Sequence, residues 1–373
     1  MSEPPRPSQS VLTVDLGAIV ANYRLLRSRL ERSECAVVVK ADAYGLGAIR
    51  VAPALAAAGA RHFFVAHLGE ALEIRAVLPS AARIYVLNGM LNGEAEEFRA
   101  RGVVPVLNDL EQIEVWAREA RRSGGKLPAI VHFDTGMSRL GLSDDEADRL
   151  VADPRYLQHV ELGFVMSHLA CADEPGHAKN EAQRKVFDRT RTLLPQALPS
   201  LANSAGILLG PDFLYDLVRP GIALYGGHPR REGTNPFQPV VHLAGRILQV
   251  RDTAPGETIG YGATRTLKKP TRVAVVSVGY ADGFFRALST EDGEEGFLAY
   301  AGPHPAPILG RVSMDLITID VSKVPEDVSK RGAFVELIGP NVSAQTMAHH
   351  AGTIDYEVLT NLGRRALRRY LGG

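Results

Sequence analysis

The sequence predicts an α/β protein: a (β/α)8 TIM-type barrel followed by a smaller, mostly β domain. Three observations predict it. Up to about residue 222, short β-branched runs alternate with segments rich in helix formers, and such alternation means parallel strands joined by right-handed crossovers. Eight strand candidates within roughly 200 residues match a closed barrel, with an open doubly wound sheet as the alternative. Beyond about residue 238 the texture changes to strands spaced by turn-rich segments. A chain of 373 residues also exceeds what one compact core usually holds.

The strand candidates in order are CAVVVK (35–40), HFFVA (62–66), RIYVLN (83–88), VVPVLN (103–108), AIVHFD (129–134), VELGFVMSH (160–168), PSLANS (199–204) and DLVRPGI (216–222). Between them ALAAAGA, GEALEIRAVL, GEAEEFRARG, EQIEVWAREARRSG, DDEADRLVADP and EAQRKVFDRTRTLL carry helical apolar spacing or strong helix formers, and several end in Gly or Pro. The barrel domain is expected over 1–238 and the second domain over 239–373, with Pro236 and Pro239 marking the linker. In the second domain VVHLAGRILQVRDT, RVAVVSVGYA, PAPILGRVSMDLITIDVS and AFVELIG read as strands. QTMAHHAG and the terminal EVLTNLGRRALRRYL read as helices.

Composition excludes several functions. Lys+Arg and Asp+Glu are equal at 42 each, which gives no excess basic charge for nucleic acid or an anionic membrane. Cys35 and Cys171 form no metal-ligand spacing and read as free thiols of a reducing compartment. The start, MSEPPRPSQS, has no apolar core of a signal peptide, and no run of about 20 apolar residues spans a membrane. The cytoplasm is the expected location.

Barrel enzymes carry their chemistry at the C-terminal ends of the strands. That rim collects Lys40 and Tyr44 after the first strand, Asp134 and Arg139 after the fifth, and His168 closing the sixth. Asn203 and Ser204 close the seventh, and Arg219, Gly221 and Ile222 belong to the eighth. A lysine ending an apolar run is costly as an ammonium. Desolvation favours the neutral amine, the form that attacks a carbonyl. The loops after strands seven and eight are the usual phosphate site of such barrels; Ser204 offers a hydroxyl there, and Gly221 lets backbone N–H groups approach an anion. A nucleophilic lysine beside a phosphate cradle suggests pyridoxal 5'-phosphate (PLP).

Along nearly its whole length the sequence resembles the PLP-dependent alanine racemases. VVVKADAYGLGA, FDTGMSRLGL, VMSHLACADE, NSAG, VRPGIALYG, GYGATR, VSVGYADGFFR and GRVSMD match that family's motifs in order, across both domains. The resemblance implies a homodimer with shared active sites, an amino-acid substrate, and D-alanine supply for peptidoglycan. It implies that Lys40 holds the cofactor and acts as one acid/base group, with Tyr261 of the partner chain as the other. Two bases on opposite faces of Cα let a proton leave one face and return to the other. The resemblance further implies that His168 and Arg219 tune Tyr261, and that Arg219 bonds the cofactor's ring nitrogen. Arg139 would meet the substrate carboxylate. Tyr44, Asn203, Ser204, Gly221, Ile222 and Tyr356 would bind the cofactor. Met314 would line the substrate pocket, with Asp315 and Tyr280 behind it.

Three positions depart from the family pattern. His132 stands where many relatives carry a carbamylated lysine that positions the arginine, so no carbamate is expected. Leu46 replaces a common histidine, and Ser313 a frequent cysteine. Three rival functions remain on this reading: a PLP amino-acid decarboxylase, a PLP carrier without turnover, and a racemase of serine or a broader range. Arg219 and the lack of a cysteine in the second domain argue against the first. The intact second domain with Tyr261 argues against the second.

Overall fold

The computed structural model describes residues 8–372; the expectation for the polar start falls largely outside them. The chain divides into two compact units. One is Ile19–Gln238, and the other joins the start of the chain, through Ala18, to the stretch from Pro239 onward.

Strand β1 (Ser10–Asp15) therefore belongs with the second unit, which corrects the expected barrel domain of 1–238. It pairs antiparallel with Val241–Thr253 and parallel with Leu367–Leu371. Its apolar residues Val11, Leu12 and Val14 are buried there.

In Ile19–Gln238 the strands are β2 (Glu34–Cys35), β3 (Val37–Val38), β4 (His62–Val65), β5 (Arg83–Val86), β6 (Val103–Leu107), β7 (Leu127–His132), β8 (Val160–Met166), β9 (Leu198–Ser200) and β10 (Leu217–Val218). They pair in parallel in the order β2-β10-β9-β8-β7-β6-β5-β4-β3. β2 and β3 are one strand interrupted at Ala36: β2 pairs with β10, and β3 with β4. The N–H groups of Ala36 and Val38 donate to the carbonyls of Val218 and Pro220, which carries the seam past the break. Counted as one strand, they close a barrel of eight. Every residue of β4 and β6 is buried, as expected where helices cover a parallel sheet outside and side chains fill it inside.

The helices are set by local chemistry. Leu110–Ser123 starts where the Asp109 carboxylate accepts the Gln112 N–H and stops at Gly124, which adopts φ 80°. It buries Leu110, Ile113, Trp116, Ala117 and Ala120. Truncating Trp116 to alanine would cost about 3–5 kcal/mol. A reciprocal Ser143–Glu146 capping box starts Asp144–Ala152.

In the second unit the long strand Val241–Thr253 pairs with β1, Thr271–Val276 and Phe334–Ile338. Its burial alternates over most of its length, as in an antiparallel sheet with one face on the core. The terminal segment read as one helix is two elements. A helix, Asp355–Asn361, ends before Gly363, and Leu367–Leu371 is a strand. Its leucines and arginines suit a helix, but β1 offers it a ladder of backbone partners that the local composition does not reveal. PAPILGRVSMDLITIDVS likewise splits into His304–Pro307 and Ile317–Asp320.

Candidate active site

The loop after β3 folds in an unusual way. Lys40 opens a turn in which Ala41, Asp42, Ala43 and Tyr44 all adopt φ between 53° and 55°. This is a turn of left-handed helix made without glycine, at a cost of about 1–2 kcal/mol per residue. Specific bonds hold it. The Ala43 N–H donates to the Val39 carbonyl, the Gly45 N–H to that of Ala41, and the Ala48 N–H to the Asp42 carboxylate at 2.7 Å. Gly45 and Gly47, at φ 81° and 98°, let the chain leave the turn. Strain of this kind persists only where the surroundings over-determine it, and it gathers at functional sites.

The amine of Lys40 is pushed toward its neutral form. Desolvation is the main cause and the charge of Arg139 adds to it, against a weaker opposing pull from Glu70. His168 follows β8, and burial holds it well below its usual pKa, helped by Arg219, Arg139, His132 and Lys40. It is neutral. Its Nε2 faces the Asn203 amide at 3.5 Å. Arg219 is buried, and its guanidinium donates to the Ser200 hydroxyl at 2.5 Å and the Ser167 carbonyl at 2.6 Å. Burial pulls its pKa down to about 9, so it stays a cation at neutral pH.

Beside these groups lies a backbone cradle. The Asn203 side chain caps the short helix Ser204–Ile207 by accepting the Gly206 N–H. The Ser204 hydroxyl accepts the N–H groups of Gly221 (2.9 Å) and Ala223 (3.3 Å), and Ile222 opens the next turn, Ile222–Tyr225. A Cβ at Gly221 would overlap the Tyr44 hydroxyl and its ring carbon. Tyr44 cannot swing away, because its ring stacks on Tyr225 at 4.6 Å, and Tyr225 donates its hydroxyl to the Val38 carbonyl.

Arg139 follows a tight turn built on Asp134. Burial raises the Asp134 carboxyl, but the N–H groups of Gly136, Ser138 and Met137 outweigh it and hold the group below its usual range. His132 lies behind the turn. Its Nδ1 is 2.8 Å from Asn108 Oδ1, while the Asn108 amide nitrogen donates to the carbonyls of Leu87 and Val106. The amide orientation is thereby fixed, so His132 carries its hydrogen on Nδ1 and presents Nε2 as an acceptor. Burial, with Arg219 and Arg139 nearby, pushes His132 down to about 3.

The barrel unit thus gathers Lys40, Tyr44, Arg139, His168, Asn203, Ser204, Arg219, Gly221 and Ile222 on one rim. The remaining expected residues belong to the second unit. Tyr261 is 75% exposed, on a turn bounded by Gly260 and Gly262 at positive φ. The Tyr280 N–H donates to the Ser313 carbonyl and the Ala281 N–H to that of Met314, so these residues form one surface loop pair. Asp315 accepts from Arg365 at 2.8 Å. Tyr356 lies on the helix Asp355–Asn361. Sequence reasoning missed Glu70, Asn108 and Ser200, which match no motif, and Ser167, which lies within VMSHLACADE but was given no role; all four hold the rim from behind.

The rim fits a phosphorylated carbonyl cofactor. Its cations, Arg139 and Arg219, favour an anion. Its amine is desolvated toward the nucleophilic state, and at Gly221 the backbone leaves no room for a side chain beside Tyr44.

Comparison with known proteins agrees. Residues 14–229 match the family described as alanine racemase, N-terminal domain, and residues 240–370 match alanine racemase, C-terminal domain. An alanine racemase of Rhodospirillum rubrum is 49% identical over 364 residues, 97% of this chain and 96% of that protein. A catabolic alanine racemase of Agrobacterium fabrum is 48% identical over 360 residues, 96% of this chain and 92% of that protein. The crystal structure of the Bartonella henselae alanine racemase, with covalently bound pyridoxal phosphate, superposes with a TM-score of 0.93 at 41% identity, covering 98% of this chain and all of the other. With both halves of the chain matched in order and near half its residues shared, the protein belongs to the alanine racemase family.

Proposed function

We propose that the barrel rim binds PLP and that Lys40 and Tyr261 are the two acid/base groups of alanine racemisation. The observation that carries this is the state of Lys40, an amine pressed toward neutrality by desolvation and by Arg139, on the same rim as the Ser204–Gly221 turn. When bound, PLP supplies an electron sink that makes the Cα–H of an amino acid acidic.

The chain's own residues do the rest. Ser204, Gly221, Ile222, Tyr44 and Tyr356 hold the phosphate, with Asn203 fixing the start of the Ser204 helix. Arg219 donates to the ring nitrogen and, because a guanidinium keeps its protons, does not protonate it. Arg139 binds the substrate carboxylate, and Met314, Tyr280 and Asp315 shape the entrance. Lys40 takes or gives the Cα proton on one face, and Tyr261 does so on the other. The neutral His168, next to the Arg219 cation, serves to bias the tyrosine toward accepting a proton. The reading includes a cytoplasmic homodimer in which each Tyr261 serves its partner's Lys40. No described helix is long and apolar enough to cross a membrane.

The deciding experiment is conversion of L-alanine to D-alanine by the purified protein with PLP, with Lys40→Ala as control. Turnover in the wild type and none in the variant is expected. A PLP-loaded protein that makes no D-alanine would overturn the assignment. Supply of D-alanine to peptidoglycan and breakdown of D-alanine are distinguished by deletion: a D-alanine requirement marks the former.

A further inference from the structure

Glu70 lies in the first turn of the helix Leu68–Arg75, directly after β4. Its side chain is only 16% exposed, and both oxygens are used. Oε1 accepts the Ala41 N–H and Oε2 the Ala66 N–H, each at 2.7 Å. The Ala41 amide is the peptide bond leaving Lys40 and the first residue of the left-handed turn. One carboxylate therefore clamps the lysine's backbone to the end of the neighbouring strand. His67 Nε2 lies 3.8 Å from Glu70. The charged groups that act on Lys40 are Arg139 and Glu70, of opposite sign, with the neutral His168 beside them.

We propose that Glu70 is a positioning residue for Lys40: by bridging the amides of Ala41 and Ala66 it fixes the lysine at the rim, and its carboxylate offsets the charge of Arg139. This deepens the reading of Lys40 as the cofactor lysine and rests on it. Holding both amides takes two accepting oxygens. Glu70→Gln leaves one and removes the charge, while Glu70→Asp keeps the charge but is a methylene too short to reach both.

The test compares wild type, E70Q and E70D by three readouts: the pH dependence of PLP capture by the cofactor-stripped protein, the adduct site after borohydride reduction and peptide mass mapping, and kcat and KM of the holoenzymes. For E70Q the pH midpoint of capture is expected to fall, because the group favouring the ammonium is gone. kcat is expected to fall on the order of 10-fold or more through displacement of the amine, with KM little changed. E70D should keep the wild-type midpoint and lose kcat. A merely structural carboxylate would lower the melting temperature and move neither midpoint nor kcat, and that result overturns the proposal. If E70Q does not fold, E70D decides: a wild-type kcat overturns the proposal, a reduced one supports it. If wild-type PLP maps to a residue other than Lys40, the reading of Lys40 fails, and the role of Glu70 falls with it.

Discussion

Gly221 is a glycine for reasons of space. Its φ of −123° suits any residue, but a methyl group would meet a tyrosine ring pinned from behind by Tyr225. Overpacking of this kind costs about 1–3 kcal/mol. Gly221→Ala is therefore expected to weaken PLP binding on the order of 10-fold, read by titration of the apoprotein. Unchanged affinity would show that Tyr44 is free to give way. His132 makes a prediction about pH. Its folded pKa, about 3, lies below the ordinary histidine value, so the folded state binds fewer protons. Stability from this group is complete above about pH 6.5 and is lost as pH falls from there toward 3. His62 and His168 shift in the same direction, each mainly through burial, and steepen the loss. His132→Gln keeps a donor for Asn108 and removes one titration. Its urea midpoint should fall less than that of the wild type between pH 7 and pH 5, and equal slopes would remove His132 from the account. The rim residues themselves were legible in the sequence, since they end or closely follow strand runs and fall within the matched motifs. Glu70, Asn108 and Ser200 were not. Each also bonds a group far along the chain (Ala41, His132 and Arg219 respectively), and nothing in their own neighbourhood shows that those partners exist.

Among the elements, the turn Ala41–Tyr44 is the least legible. ADAY carries two alanines, the best helix formers, and the structure does form a helical turn there, but of the disfavoured hand. The bonds to Asp42 and Glu70 outweigh the local preference. This yields a paired prediction. Ala41 is exposed and left-handed, so Ala41→Gly relieves steric cost and is expected to leave stability unchanged or raised by up to about 1 kcal/mol. Ala182 is exposed within the ordinary helix Ala178–Thr190, so Ala182→Gly should lower stability by about 1 kcal/mol. Denaturant midpoints of the two variants settle it, and equal losses would deny that the turn is strained. The barrel strands were readable because burial on both faces writes them as unbroken apolar runs. The strand Leu367–Leu371 was hidden because the strand it pairs with, β1, lies at the other end of the chain.

For the whole molecule, nothing in the sequence marked Ser10–Asp15 as a strand of the second unit, yet strand counting recovered the barrel because β2 and β3, read as the single run CAVVVK, join at its closing seam. The division of expected site residues between two units has a sharper consequence. Lys40 belongs to one unit, and Tyr261, exposed to 75%, to the other. If each site takes its lysine from one chain and its tyrosine from the partner, Lys40→Ala and Tyr261→Ala homodimers are both inactive. In a mixed dimer, one site then holds both substitutions and the other holds none. Random pairing of equal amounts makes about half the dimers mixed, each with one of two sites intact, so about a quarter of wild-type activity returns. If lysine and tyrosine instead come from the same chain, every site in every dimer lacks one of them, and nothing returns. Co-expression under two affinity tags isolates the mixed dimer, for which the shared arrangement requires about half the wild-type rate and the unshared one requires none.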